Sequence, residues 1–143
     1  MIIYIEHNRD PIRVTTVKPG DEVDISESWF YHESCTRSSQ TGSIWTGIEL
    51  DSIPNDVWIL SVVETDHGGD PSDTYRQYLF LDKTDALNMA TEYFDDHDFD
   101  DDRDRDRIRQ AMLNEIDKEG YGRVDPESDS SPSFSLHNLV VEK

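Results

Sequence analysis

The sequence predicts an α+β protein: a β-rich N-terminal half followed by a β-β-α-α-β unit, with the helices packed on one face of a mainly antiparallel sheet. Three observations lead there. Short apolar segments separated by Gly, Pro, Asn and Asp fill the first half. The run Val57–Val63 is apolar on both faces and strand-sized, so it reads as a central strand. Two later stretches place apolar residues at helical spacing. At 143 residues the chain suits a single domain, 1–143, with a β-rich N-terminal lobe over 1–53 and a C-terminal lobe over 54–143.

In chain order, Ile2–Ile5 and Ile12–Val17 read as strands, with Asn8-Arg9-Asp10-Pro11 as the turn between them. Lys18-Pro19-Gly20-Asp21 reads as a type II turn, because Pro presets φ at the first central position and Gly accepts positive φ at the second. Val23–Ile25 is then the returning strand. Thr36–Ser43, rich in Ser and Thr, reads as an exposed loop. Ile44–Leu50 is a strand, broken by Ile53-Pro54-Asn55-Asp56.

Val57–Val63, the polar loop Glu64–Thr74 and the strand Tyr75–Leu81 form a hairpin. Asp82 or Thr84 caps the first helix, whose apolar stripe is Ala86, Leu87, Ala90, Tyr93 and Phe94. The segment Asp95–Asp106 is acidic and of low complexity. Within Asp102–Arg107 the i,i+3 pairs are opposite in sign and the i,i+4 pairs alike. Each is worth only about 0.2–0.5 kcal/mol, so they nearly cancel and the run does not start a helix by itself. Beyond it, Ile108, Ala111, Met112 and Ile116 form the buried stripe of a second helix, with Gly120 at its C-terminal cap. Asp125–Ser133 reads as a loop. Phe134–Glu142 reads as a last strand beside the Val57 hairpin.

Charge narrows function. With 13 Lys+Arg against 32 Asp+Glu, the net charge is -19. Direct binding to nucleic-acid phosphate, or to an anionic membrane, needs clustered Lys and Arg that the chain lacks. No stretch approaches the roughly 18 apolar residues of a membrane helix. The N-terminal residues lack the basic start and apolar run of a secretory leader. Cys35 is the only cysteine, which excludes an internal disulfide. The expected location is therefore the cytoplasm, the host's if the source is a virus.

Spread evenly over a surface of roughly 7,500 Å², the charges would stand about 20 Å apart, beyond a Debye length of about 8 Å. The sequence instead concentrates them: Asp95, Asp96, Asp98, Asp100, Asp101 and Asp102 put six carboxylates into eight residues. These are the expected partner-binding residues. Asp66, Asp70 and Asp73 in the hairpin loop support them if the fold brings the two segments together.

Other chemistries fail on spacing. Counted from Asp96 or Asp98, the acidic run offers neither Gly at the sixth position nor Glu at the twelfth of a calcium loop. His32-Glu33-Ser34-Cys35 pairs a thiol with an imidazole, but Glu33 and the anionic field oppose a thiolate. His7, His67, His97 and His137 are scattered without the paired spacing of a zinc site. Trp29-Phe30-Tyr31 and Trp45 read as core, with an interface patch as the alternative. No catalytic residue, metal or cofactor is expected.

The expected function is that of a non-enzymatic acidic protein whose anionic face occupies a basic protein surface, such as that of a nucleic-acid-binding protein or complex. Its sharpest form is a DNA mimic from a virus or mobile element, inhibiting a host defence or nucleic-acid-processing protein. The alternative is a small haloadapted protein of a halophilic archaeon or its virus, with a structural or assembly role. Scarce Lys and an excess of Asp over Glu favour that alternative.

Overall fold

Residues 1–6, 12–20, 23–26, 30–34, 45–64, 74–99, 103–128 and 131–143 are described by a computed structural model; of 23–26, 30–34 and 74–75 it describes the backbone alone. Among these residues the elements are β1 (Ile2–Glu6), β2 (Arg13–Thr15), β3 (Val23–Ser26), β4 (Phe30–Ser34), β5 (Trp45–Glu49), β6 (Asp56–Glu64), β7 (Thr74–Phe80), α1 (Lys83–Asp95), α2 (Arg105–Glu119), β8 (Tyr121–Arg123) and β9 (Ser133–Val140). The expected turn at 8–11 and loop at 36–43 lie outside the described residues.

The pleat of β1 sends Ile3 and Ile5 to one face, where both are fully buried. β2, β1, β5 and β3 form an outer sheet in that order. β4, β7, β6, β9 and β8 form a central sheet, antiparallel throughout, with β6 in the middle. β4, from the N-terminal half, thus joins the sheet built mainly by the C-terminal half.

The layers follow from which faces are apolar. On one side of the central sheet, Val57, Ile59 and Leu79 meet Ile3, Ile5, Val14, Ile48, Leu50 and Val141 of the outer sheet and its flanks. On the other side, Leu60, Val62, Tyr78, Phe134 and Leu136 meet Ala86, Ala90 and Phe94 of α1 and Met112 and Ile116 of α2. β6 is apolar on both faces because both are covered. The result is three layers: outer sheet, central sheet, helix pair. This is the expected α+β class, with the helices on one face of a mainly antiparallel sheet. One buried polar pair interrupts the inter-sheet layer: the Gln77 amide donates to Ser61 Oγ at 3.3 Å.

Three local expectations need correction. Val23–Ile25 does not return beside β2; β3 pairs parallel with β5. Nor is Gly20 at positive φ, a conformation that Gly120 alone adopts among the described residues, so the type II turn is absent. The reason is long-range. Glu142 runs along β2, accepting the Thr16 N–H at 2.8 Å and donating its own N–H to Val14 O at 2.9 Å. Arg13 holds the Glu142 carboxylate. The place a returning strand would take is occupied.

Second, β8 escapes sequence reading: three residues centred on Gly122 carry no alternation. A Cβ at Gly122 would lie 2.8 Å from Ile116 Cγ1, so glycine lets α2 approach this edge of the sheet. Third, Ala111 is exposed. Met112 and Ile116 carry the burial of α2, and Ala111 sits about 100° round the helix from Met112 and about 140° from Ile116.

Candidate interaction surface at the helix corner

The two helices run antiparallel, so the C-terminus of α1 and the N-terminus of α2 meet at one corner. Lys83–Asp117 at one end of the pair and Asp95–Arg109 at the other fix this arrangement. α1 stops where its stripe stops. Phe94 is its last buried residue, and Asp96 and His97 donate their N–H groups to Glu92 O and Phe94 O at 3.1 Å. Its last turn carries no basic residue. Asp95 and Asp96 therefore add to the partial negative charge of the helix end, each at a cost of about 0.3–1 kcal/mol. α2 begins with a side-chain cap: Asp104 Oδ1 accepts the Arg107 N–H at 3.2 Å.

Asp95, Asp96 and Asp98 of the expected site are described, and all three are exposed. Asp100, Asp101 and Asp102 lie outside the described residues. So do Asp66, Asp70 and Asp73, but the flanks of their loop can be placed. Arg76 Nη1 lies 3.4 Å from Glu64 Oε2 and 3.5 Å from Tyr93 Oη, two residues before Asp95. The mouth of the hairpin and the end of α1 thus share one end of the molecule.

Between 95 and 109 the sequence holds eight carboxylates and four guanidinium groups, a net charge of minus four for this stretch of chain. Three of the four arginines are spent on construction. Arg109 spans the two helices, 3.7 Å from Asp95 and 2.8 Å from Asp106. Arg105 lies over the Phe94 and Phe99 rings, at 5.9 and 5.5 Å. Arg103 lies 5.8 Å from the Phe99 centroid and is paired with Asp125 at 3.2 Å and Glu127 at 3.3 Å. Phe99 packs on Phe94 and His97, each 4.8 Å away. Among the described residues Asp96 and Asp98 make no ion pair and face solvent.

Asp125 anchors this corner from below. It is 7% exposed. Burial pushes its carboxyl up, but the Glu127 N–H at 3.0 Å and the Arg103 guanidinium outweigh that and hold it below the usual carboxylate range. His97 Nε2 stands 3.9 Å away. Beside it an open groove of about 660 Å³ runs between α2 and β8, floored by Ile108, Met112 and Phe134 and edged by Arg107, Tyr121 and Arg123.

The sequence reading missed the builders of this corner: Arg103, Arg105, Arg109, Phe99 and Asp125. The alternating Asp–Arg run was the available signal for the arginines, and the Asp106–Arg109 pair forms as its spacing implied. Nothing local marks Asp125, which meets Arg103 across 22 positions of chain. Trp45 is 6% exposed and belongs to the core. Trp29, Cys35, His7 and His67 lie outside the described residues, and of His32 only the backbone in β4 is described. Among the described residues, no three His, Cys, Asp or Glu side chains converge as a metal site would need. Among the described residues, no helix is long and apolar enough to cross a membrane.

Comparison with protein-family models, with curated proteins and with solved structures gives no match.

Proposed function

We propose that this chain is a non-enzymatic acidic binding protein whose helix corner engages a basic surface of another protein. One observation carries the reading. Exposed carboxylates are gathered at the C-terminal end of α1, where they oppose the helix dipole, while Arg103, Arg105 and Arg109 are engaged by carboxylates and rings of the corner itself. A local rule broken at an exposed position favours a role outside folding. In its sharpest form the corner stands in for the phosphates of a duplex, and the partner is a nucleic-acid-binding protein of host defence or nucleic-acid processing. Such contacts associate fast and weaken with salt.

The test is capture of partners on the immobilised chain, followed by competition with duplex DNA. A mimic's partner is displaced by DNA, and the triple variant Asp95→Asn, Asp96→Asn, Asp98→Asn no longer retains it. Retention unaffected by both treatments rejects the mimic.

A second reading rests on a different observation. Exposed carboxylates also occur far from the corner, at Glu49, Asp51, Asp56, Asp82 and Asp85. A surface acidic all round suits a haloadapted protein with a structural or assembly role. Unfolding at about 0.1 M KCl, with recovery at molar KCl, would favour this second reading.

A further inference from the structure

At the end of the molecule opposite the acidic corner, the helix-facing side of the central sheet carries an apolar patch. The register sets Trp58 between Phe80 and Asn138, and pairs Asp56 with Val140. Strand alternation puts Trp58, Phe80 and Val140 on one face, with Val140 diagonal to Trp58. Trp58 and Phe80 are half-buried, and Val140 is 73% exposed. Lys83, in the first turn of α1, leans over this patch: its Nζ is 5.2 Å from the Trp58 ring centroid and 2.5 Å from Asp117 Oδ1.

The surrounding rim is acidic. Asp56, Asp82 and Asp85 are exposed. Of the cations at this end, Lys83 is engaged by Asp117 and Lys143 donates to Asn55 Oδ1 at 3.3 Å. Lys118 follows Asp117 but projects about 200° from buried Ile116, on the solvent side of α2. An apolar centre within a charged rim is the anatomy of a protein interface, and Trp is a favoured anchor.

We propose that this patch is a second docking surface, which seats an aliphatic side chain of a basic protein segment while the carboxylate rim receives its Lys or Arg neighbours. The proposal rests on the reading that the chain binds a basic protein, and it adds a specificity contact to it. The 13 residues of α1 separate patch and corner by about 20 Å, so one partner can engage both and gain from the linkage. A second copy of this chain is a poor occupant, because it brings another -19 charge to an acidic rim.

The probe is a pair of short lysine-rich peptides, identical but for one central Leu or Ser, titrated into the full chain by calorimetry. The Leu peptide should bind about tenfold tighter, the discrimination typical of one apolar side chain in a pocket. Trp58→Ala should erase that preference and leave salt-sensitive binding of the Ser peptide unchanged. Val140→Ser, at an exposed position that does not endanger folding, should reduce the preference. Equal affinity for the two peptides, or a preference that survives both substitutions, overturns the proposal. Dimerisation of the wild type that Val140→Ser abolishes overturns it too, since the occupant is then a second copy. Replacing Asp95, Asp96 and Asp98 by Asn separates the two ideas: these residues lie about 20 Å from the patch, beyond the Debye length of about 8 Å, so the Leu preference should persist while retention of the captured partner is lost. Partner retention that survives this variant, with the Leu preference intact, removes the corner reading and leaves the patch.

Discussion

Asp125 shows how one buried carboxylate can set the shape of a surface. It accepts from Arg103 and the Glu127 N–H, and Ser131 Oγ closes the same turn by accepting the Asp125 N–H at 3.1 Å. Arg103 is thereby fixed just before α2, beside the Phe99 ring. Asp125→Asn should lower stability by about 1–3 kcal/mol in urea titrations at neutral pH, since it leaves a half-buried guanidinium short of its charged partner. The sign with pH follows from the lowered folded pKa. The ionised carboxylate's contribution is complete above the unfolded value and is lost as pH falls through the folded one. The gap between wild type and Asp125→Asn should therefore be constant near neutrality and close below about pH 4. A gap that stays constant into acid would show that the charge on Asp125 contributes nothing.

The two helix starts make a controlled comparison. Asp104 caps α2 through its side chain, whereas Asp82 flanks α1 with no side-chain cap bond. Asp104→Ala should cost about 1 kcal/mol and Asp82→Ala only a few tenths, read from chemical denaturation of each variant. At the other end of α2, Gly120 has φ 79°, and an added Cβ would stand 3.2 Å from Leu136 O. Gly122 has ordinary backbone but no room beside Ile116. Gly122→Ala should destabilise by about 1–3 kcal/mol through overpacking, and hydrogen exchange should quicken in α2 and β8 before other elements. The helices, the Gly120 cap and the central strand were legible because their signals are local: a 3.6-residue stripe and a Gly after it; the side-chain cap Asp104 was not among the expected caps, and Asp82 makes no side-chain cap bond. The β2–β3 hairpin was misread for the same reason. Lys18-Pro19-Gly20-Asp21 has good local turn chemistry, yet Glu142 occupies the edge that a hairpin partner would need.

Over the whole molecule, the charge of -19 sets how the folded state responds to solution conditions. Self-repulsion destabilises the compact form, and salt screens it over about 8 Å at physiological strength. The melting temperature should rise by several degrees between low salt and about 0.5 M NaCl. The Asp96→Asn, Asp98→Asn variant, which leaves the Asp95–Arg109 pair in place, should melt higher than wild type at low salt, because it relieves both mutual repulsion and the unfavourable interaction with the end of α1. A variant that melts lower would mean these carboxylates serve the fold rather than a partner.

The sequence alone determined the α+β class, the two helices, the buried central strand and the density of acid after α1, because period, capping residues and composition are properties of neighbouring positions. Tertiary structure decided which carboxylates face solvent and which arginines are drawn inward. It also decided which strand borders β2, and that the mouth of the β6–β7 hairpin lies beside the end of α1. Those outcomes depend on pairs such as Arg103–Asp125, Arg13–Glu142 and Arg76–Tyr93, whose members are far apart along the chain and meet only when the layers close.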